Sequence, residues 1–300
     1  MATTLRPDDG LRLVQKRQSV LARAELTVSE LSCRRTRTPS ERQPAIGPCD
    51  RRLPTEIGAD DLLIFDDDRA SDSPFVERIW RSHSQNAGWF LSIAESRSEI
   101  VIAKHQGQST VTVRGPETHA TRVCYPPDTE WMGIRLKPGV RALPRRATTL
   151  VDHAIHLPTV SADIFRLNRS TWQVPDFEDA DDFVDRLARD ELLVLDPAVP
   201  EALSGDAARS SLRTLQRRFR YATGVSQSLA RQIEHARYAV LLLTDGVPIP
   251  TAIHDAGYFD QPHLTRSLQR FIGQTPAQLR DACRAEQLSF LYQTQPFAKL

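Results

Sequence analysis

The segment 209–220 carries five arginines and no acidic residue, and its apolar residues recur at helical spacing. Ser211 is the expected N-cap, and residues three and four positions apart form one apolar stripe. Arginine presents planar forks that fit guanine or phosphate, and glutamine fits adenine. The polar face of this helix is therefore suited to binding nucleic acid. The stripe consists of Leu212, Leu215 and Phe219, and the polar face of Arg213, Arg217 and Arg220, flanked by Gln216.

A second segment, 260–271, repeats this design. Asp260 is the expected N-cap. A short helix over 249–256 precedes it and is followed by Gly257, at the place where a helix-turn-helix unit needs a tight turn. The apolar stripe consists of Leu264, Leu268 and Phe271, and the outward or flanking residues are Gln261, His263, Thr265, Arg266 and Arg270.

Either segment alone is explained by an ordinary solvated amphipathic helix. The repetition of the design, with an apolar helix over 233–244 between the two copies, favours a pair of recognition helices. Two such helices on one rigid connector could enter adjacent major grooves about 34 Å apart.

The same region contains residues in an order that is specific to one family. They are Arg213-Thr214-Leu215-Gln216-Arg217-Arg218-Phe219, Thr223-Gly224, Ala239, Leu241-Leu242, Ala256-Gly257-Tyr258, Asp260-Gln261, His263-Leu264, Arg266, Phe271, Gly273 and Thr275-Pro276. With these residues the segment 200–283 resembles the C-terminal DNA-binding domain of AraC/XylS-type transcription regulators.

The resemblance implies two helix-turn-helix units, double-stranded DNA as partner, contact with RNA polymerase, and a cytoplasmic bacterial regulator that is not an enzyme. Residues 200–210 depart from the family, because they are short and contain Ser204-Gly205-Asp206. The first unit is therefore expected to be abbreviated and to pack against residues 192–195. The base-facing positions are Arg213, Gln216 and Arg217 in the first recognition helix and Gln261, His263, Thr265 and Arg266 in the second, and the phosphate-facing ones are Thr214, Arg218, Arg220 and Arg270.

The pattern of the N-terminal half predicts strands separated by turns. The predicted fold class is therefore α+β, with a β-rich, cupin-like sandwich or barrel before an all-α domain. A helix is predicted over 177–194. The strand runs are 62–65, 89–94, 100–105, 109–113, 122–125 and 131–136, with a hairpin at 106–108. The expected domains are a disordered basic extension over 1–55, a β-rich sensory or dimerisation domain over 56–170, a connecting helix over 171–199, the DNA-binding domain over 200–285 and a tail over 286–300.

This β-rich half also resembles the variant N-terminal domain of one AraC-type subgroup, through runs at 73–82, 112–116 and 133–139. Such domains sense a small molecule or mediate dimerisation. Aromatic residues with Arg114 or Arg135 could line a small-molecule pocket, although core packing explains them equally well. The aromatic residues are Trp80, Trp89, Phe90, Tyr125 and Trp131.

Other chemistry finds little support. The histidines lack the spacing of a metal-binding cupin, and the pair His153 and His156, taken as helical, is followed at once by Pro158. No metal and no cofactor are expected. The alternative function is an N-terminal ligand-binding or catalytic module with vestigial DNA binding. A non-specific architectural DNA protein is disfavoured, since twelve basic and eight acidic residues from Pro200 to Leu300 leave only +4.

The whole chain has 39 Lys and Arg against 38 Asp and Glu, so its net charge of +1 does not by itself point to a polyanion partner. No apolar run is long enough for a membrane span, and no secretory signal is recognised. The four cysteines are scattered, which indicates a reducing compartment and a buried, unpaired Cys124.

Overall fold

The N-terminal half consists mainly of antiparallel strands, in which apolar and polar side chains alternate. The C-terminal half consists of amphipathic helices. The structure, a computed structural model, describes residues 47–48, 63–142, 149–197, 199–200, 202, 212–281 and 286–289. The strands are β1 Gly47–Pro48, β2 Leu63–Ala70, β3 Val76–Ser84, β4 Gly88–Ser92, β5 Glu99–His105, β6 Gln108–Arg114, β7 Thr121–Tyr125, β8 Thr129–Leu136, β9 Val140–Ala142, β10 Ala154–Leu157, β11 Thr159–Ser161, β12 Ile164–Leu167, β13 Ser170–Gln173 and β14 Leu193–Leu195. The helices are α1 Ala180–Arg189, α2 Leu212–Thr223, α3 Gln227–Thr244, α4 Ile249–Asp255, α5 Gln261–Phe271 and α6 Pro276–Arg280. The α+β class is confirmed.

A six-stranded sheet in the order β10-β6-β5-β8-β3-β2 divides the N-terminal half into two cores. Successive side chains of a strand point to opposite faces, and in β5 both faces are buried. Ile100 and Ile102 join the core that contains Phe183 of α1, while Val101 belongs to a cluster with Tyr125. Tyr125 lies in the smaller sheet β1-β7-β4. The N-terminal half is thus a sandwich of two sheets, with α1 and the small sheet β11-β12-β13 packed on the outer face of the larger sheet.

Each predicted strand run overlaps an observed strand, and the 106–108 hairpin is confirmed. Its turn places Gln106 and Gly107 at positive φ, 49° and 72°, as the tight turn between right-twisted strands requires. The strand β3 was missed, because charged residues separate its apolar ones and a register shift between Val76 and Arg78 breaks the alternation. Six short strands after residue 139 were missed as well.

Two predictions of local structure are wrong. The helix over 177–194 is confined to α1, and the apolar residues that follow it form β14, which pairs with β9. Within the described residues of this range, α1 lies between β13 and β14, and it packs on the β-rich core instead of connecting two domains. His156 lies in strand β10, where its Nδ1 is 2.9 Å from the Thr112 hydroxyl, so the pair with His153 is not helical.

All five helices predicted after position 200 are present, although α6 ends at Arg280 and not at 286. Leu215 and Phe219 of α2 pack with Val199, Ala202 and Ala230, whereas residues 192 and 193 belong to the β-rich core. The predicted N-cap Ser211, the segment 203–210 and the extension 1–46 lie outside the described residues.

Candidate functional site

The start of α5 is fixed by its own sequence. The Asp260 carboxylate accepts a hydrogen bond from the His263 amide at 2.7 Å, which confirms the predicted N-cap. Gly257 has a φ of 74°, a conformation that favours glycine, and so makes the turn that precedes the helix. The Tyr258 hydroxyl lies 2.8 Å from the Ser267 hydroxyl, and burial raises the pKa of Tyr258 to about 12. The helix therefore begins at a rigid point.

The predicted recognition residues form two polar faces. Thr214, Arg218 and Thr265 are half-buried, and the other predicted residues are exposed. The guanidinium of Arg218 donates to the Asp196 carboxylate at 3.1 Å, so this arginine is held by the N-terminal half. The exposed residues are Arg213, Gln216, Arg217 and Arg220 on α2 and Gln261, His263, Arg266 and Arg270 on α5.

The 18-residue helix α3 joins the two units. Its Ser226 cap accepts from the Leu229 amide at 3.1 Å, and its length is about 27 Å. Near its start Ala230 packs in the core of α2, and further along Ile233 and Val240 pack in the core of α5. One continuous helix thus sets the distance between the two faces.

A buried ion network, which sequence reasoning missed, joins α3 to the β-rich half. Arg97, 5% exposed, is paired with Glu234 of α3 at 2.7 Å and with Glu77 at 2.8 Å. It also contacts Glu95, which is paired with Arg135. Burial alone would lower the pKa of Arg97, but Glu234, Glu95 and Glu77 raise it above its ordinary value. The guanidinium is therefore charged, and it links the carboxylates of Glu77, Glu95 and Glu234.

Glu95 holds a second link to α3. Its carboxylate lies 3.3 Å from a guanidinium nitrogen of Arg237, which also donates to the Ala94 carbonyl at 3.2 Å. Burial would raise the pKa of Glu95, but Arg135, Arg237 and Arg97 more than offset this and hold it well below its usual value. Glu95 is thus an anion shared by three arginines.

The end of α5 is tied to the β-rich half through the main chain. The Ala94 amide donates to the Phe271 carbonyl at 2.7 Å, and the Ala120 amide donates to the Arg270 carbonyl at 3.0 Å. These carbonyls belong to the last turn of a helix and have no partner within it. The second polar face is therefore positioned directly by the loops that follow β4 and precede β7.

A cavity of about 80 Å³ opens between the two sheets of the sandwich and reaches this junction. A space of this size admits several water molecules or one compact organic group. Gly133 lets Trp80 lie against β8, since a Cβ there would be 2.1 Å from the indole ring. The lining includes four aromatic residues predicted from the sequence, Trp80, Phe90, Tyr125 and Trp131, and both predicted arginines, Arg114 and Arg135.

The fifth aromatic residue, Trp89, lies under the guanidinium of Arg122 at 4.1 Å and does not line the cavity. One lining residue comes from α3, namely Arg237. Within the described part of the chain, its Nε and Nη2 atoms are buried without a hydrogen-bond partner. The cavity thus presents an apolar aromatic side and a guanidinium of the helical half.

Two further findings concern the cysteines and metal sites. Cys124, expected to be unpaired, is disulfide-bonded and lines the cavity. Its partner lies outside the residues that the structure describes, because the other three cysteines do so.

Among the described residues, no group of three His, Cys, Asp or Glu side chains could hold a metal ion. None of the described helices has the length and apolar character of a membrane span.

Comparisons with known proteins found one matching family and similar solved structures. Residues 205–282 match a family described as a helix-turn-helix domain. Two structures of ToxT from Vibrio cholerae are similar at 8% and 9% identity, with TM-scores of 0.34 and 0.35, and each comparison covers 66% of this chain and 95% of ToxT. One of them is bound to (E)-4-(8-methylnaphthalen-1-yl)but-3-enoic acid. No curated protein sequence matches this chain.

The helix α4, the capped helix α5, the turn at Gly257 and the family match together define a helix-turn-helix protein, a class that binds DNA. The domain over 205–282 is of the AraC type, as the resemblance implied. Residues 205–282 therefore form an AraC-type helix-turn-helix domain.

Proposed function

We propose that this protein is a sequence-specific transcription regulator that reads two adjacent major-groove segments, one with α2 and one with α5. One observation supports this proposal: α2 and α5 both expose arginine and glutamine side chains on one face. The single helix α3 joins these two helices. The proposed base contacts are Arg213, Gln216, Arg217, Gln261, His263, Thr265 and Arg266, and the proposed phosphate contacts are Thr214, Arg218, Arg220 and Arg270. Arg218 would exchange its Asp196 partner for a phosphate.

The remaining features follow from this role. The protein acts in the bacterial cytoplasm without catalysing a reaction, and it contacts RNA polymerase from the DNA. The β-rich half, which includes β1 and extends through α1 and β14, forms its sensory and dimerisation domain, and residues 200–285 form its DNA-binding domain. A dimer would pair two sites by symmetry, as regulators of this kind do.

Selection of bound DNA from a random duplex pool tests the proposal. The full chain is needed, because Glu234 and Arg237 of α3 are paired with residues of the β-rich half. We expect an enriched motif of two blocks about one helical turn apart, with binding that weakens as salt rises. Failure to enrich any motif at two salt concentrations would contradict the proposal and favour a ligand-binding module with vestigial DNA binding.

We also propose that the cavity receives the effector, a compact apolar molecule with one anionic group. Four arginines and three glutamates line the cavity with the aromatic residues, so the lining carries one net positive charge. Burial raises the pKa of Glu99, despite the nearby arginines. An anionic oxygen would supply the acceptor that the buried Nη2 of Arg237 lacks among the described residues. The effector would then contact both halves of the protein.

Calorimetric titration with 4-phenylbutyrate and with its uncharged amide tests this assignment. We expect the acid to bind at least tenfold more tightly than the amide, because a charged acceptor pairs more strongly with a guanidinium. In Arg237→Met this preference should disappear. Equal binding of acid and amide to the wild-type protein would contradict the assignment of Arg237 as the anion contact.

A further inference from the structure

Phe259 is the most exposed large apolar residue among those that the structure describes. Its exposed fraction is 91%, whereas the next, Val160, is 51% exposed. An exposed phenylalanine keeps a large apolar surface in water, which is unfavourable until a partner covers it. Its backbone is nevertheless held in place, since its two neighbours in the chain are both engaged, Tyr258 with Ser267 and Asp260 with the His263 amide.

The position of Phe259 relates it to the proposed DNA surface. It directly precedes the N-cap of α5, in the turn that Gly257 makes after α4. In a helix-turn-helix unit the N-terminal residues of the recognition helix contact base edges. Gln261 and His263 lie in the first helical turn of α5 and are exposed. This helical turn contains no acidic residue. Phe259 therefore continues the exposed surface of α5 at the end that enters the groove.

We infer that Phe259 reads DNA sequence, by packing its ring on the C5-methyl group of a thymine beside the block bound by α5. A phenyl ring has no hydrogen-bonding group, and the thymine methyl is the apolar group that the major groove offers. This contact covers the ring and makes one position of the site selective for thymine. The inference rests on the proposed function, since it needs a DNA site that α5 occupies.

Substitution of deoxyuridine for thymine isolates this contact, because the two bases differ only by the methyl group. The full chain is titrated with its selected duplex and with duplexes that carry deoxyuridine at each conserved thymine in turn. At one position we expect the wild-type affinity to fall about fourfold, the effect of leaving one methyl group uncovered. Phe259→Ala should bind the thymine and deoxyuridine duplexes equally at that position, and keep the sensitivity at all others.

The matched control is Val160→Ala, which truncates the next most exposed apolar side chain, in β11 of the other half. It should bind every duplex as the wild-type protein does. Equal sensitivity to deoxyuridine in the wild type and Phe259→Ala would overturn the inference while the proposed function stands. A uniform loss in Phe259→Ala would overturn it too, because it would indicate a backbone or protein contact. If the wild-type protein selects no motif, the proposed function itself fails.

Discussion

Replacement of Arg97 by methionine should lower the free energy of unfolding by about 3–5 kcal/mol. The substitution keeps the volume of the side chain but removes the cation that Glu234, Glu95 and Glu77 share. Breaking a buried pair is costly because the remaining charges stay desolvated without their partner. Equilibrium unfolding in urea, followed by circular dichroism, measures the difference.

The control is Arg122→Met, which removes an exposed arginine paired with Glu286 at 3.3 Å. Exposed pairs contribute about 1 kcal/mol or less, so this variant should be close to wild type. A loss of similar size in both variants would show that burial does not decide the effect. It would contradict the role assigned to the network.

Arg97→Met should also change the dependence of stability on pH. The pKa of Glu95 is held below its value in the unfolded chain, so its contribution is present above that unfolded value, about 4.3. This contribution is lost as the pH falls toward the folded pKa. Removal of Arg97 takes away one of the three arginines that lower this pKa. Arg97→Met should therefore lose less stability than wild type between about pH 5 and pH 3.

The second large effect concerns DNA sequence. Arg217→Ala and Arg266→Ala should each lose about 1–3 kcal/mol of discrimination at one block of the site, a different block for each. Both arginines are exposed, one on α2 and one on α5, so neither substitution is expected to disturb the fold. Repeating the selection from random DNA with each variant measures the loss of base preference.

Two controls separate base reading from general attraction. Arg270→Ala, at a proposed phosphate contact, should weaken binding to all sequences alike and reduce the salt slope by about one. Arg189→Ala, on α1 of the other half, should change neither affinity nor motif. Should Arg217→Ala and Arg266→Ala both keep the wild-type motif, the assignment of α2 and α5 as recognition helices would be wrong.

The helices of the C-terminal half could be predicted from the sequence because the signals that determine them are local. Caps such as Asp260, glycine turns such as Gly257 and the apolar stripe of α5 lie within a few residues of the helix that they determine. Strands with a clear alternation, such as β5 and β6, were predicted for the same reason. Among the short strands, β9 and β10 pair with segments far along the chain, β14 and β6, whereas β11, β12 and β13 pair with one another in local hairpins too short to show a clear alternation.

The ion network had no local signal. Glu234 and Arg237 look like ordinary exposed charges on a helix, and their partners Arg97 and Glu95 are about 140 residues away in the chain. The aromatic residues of the cavity were predicted by type and not by arrangement. Trp89 and Trp131 both lie in strands, yet only Trp131 faces the cavity, because the pleat decides which side each side chain takes.

The burial of Glu234 and Arg237 also limits how this protein can be recombined. If its helical half were fused to the sensor of another regulator, both charges would meet a surface that evolved without them, and each would be desolvated with nothing to neutralise it. A working chimera would have to carry over residues 94–97 together with α3, although these segments lie in different halves. The unit of exchange in this chain is thus a contact surface, and not a stretch of sequence.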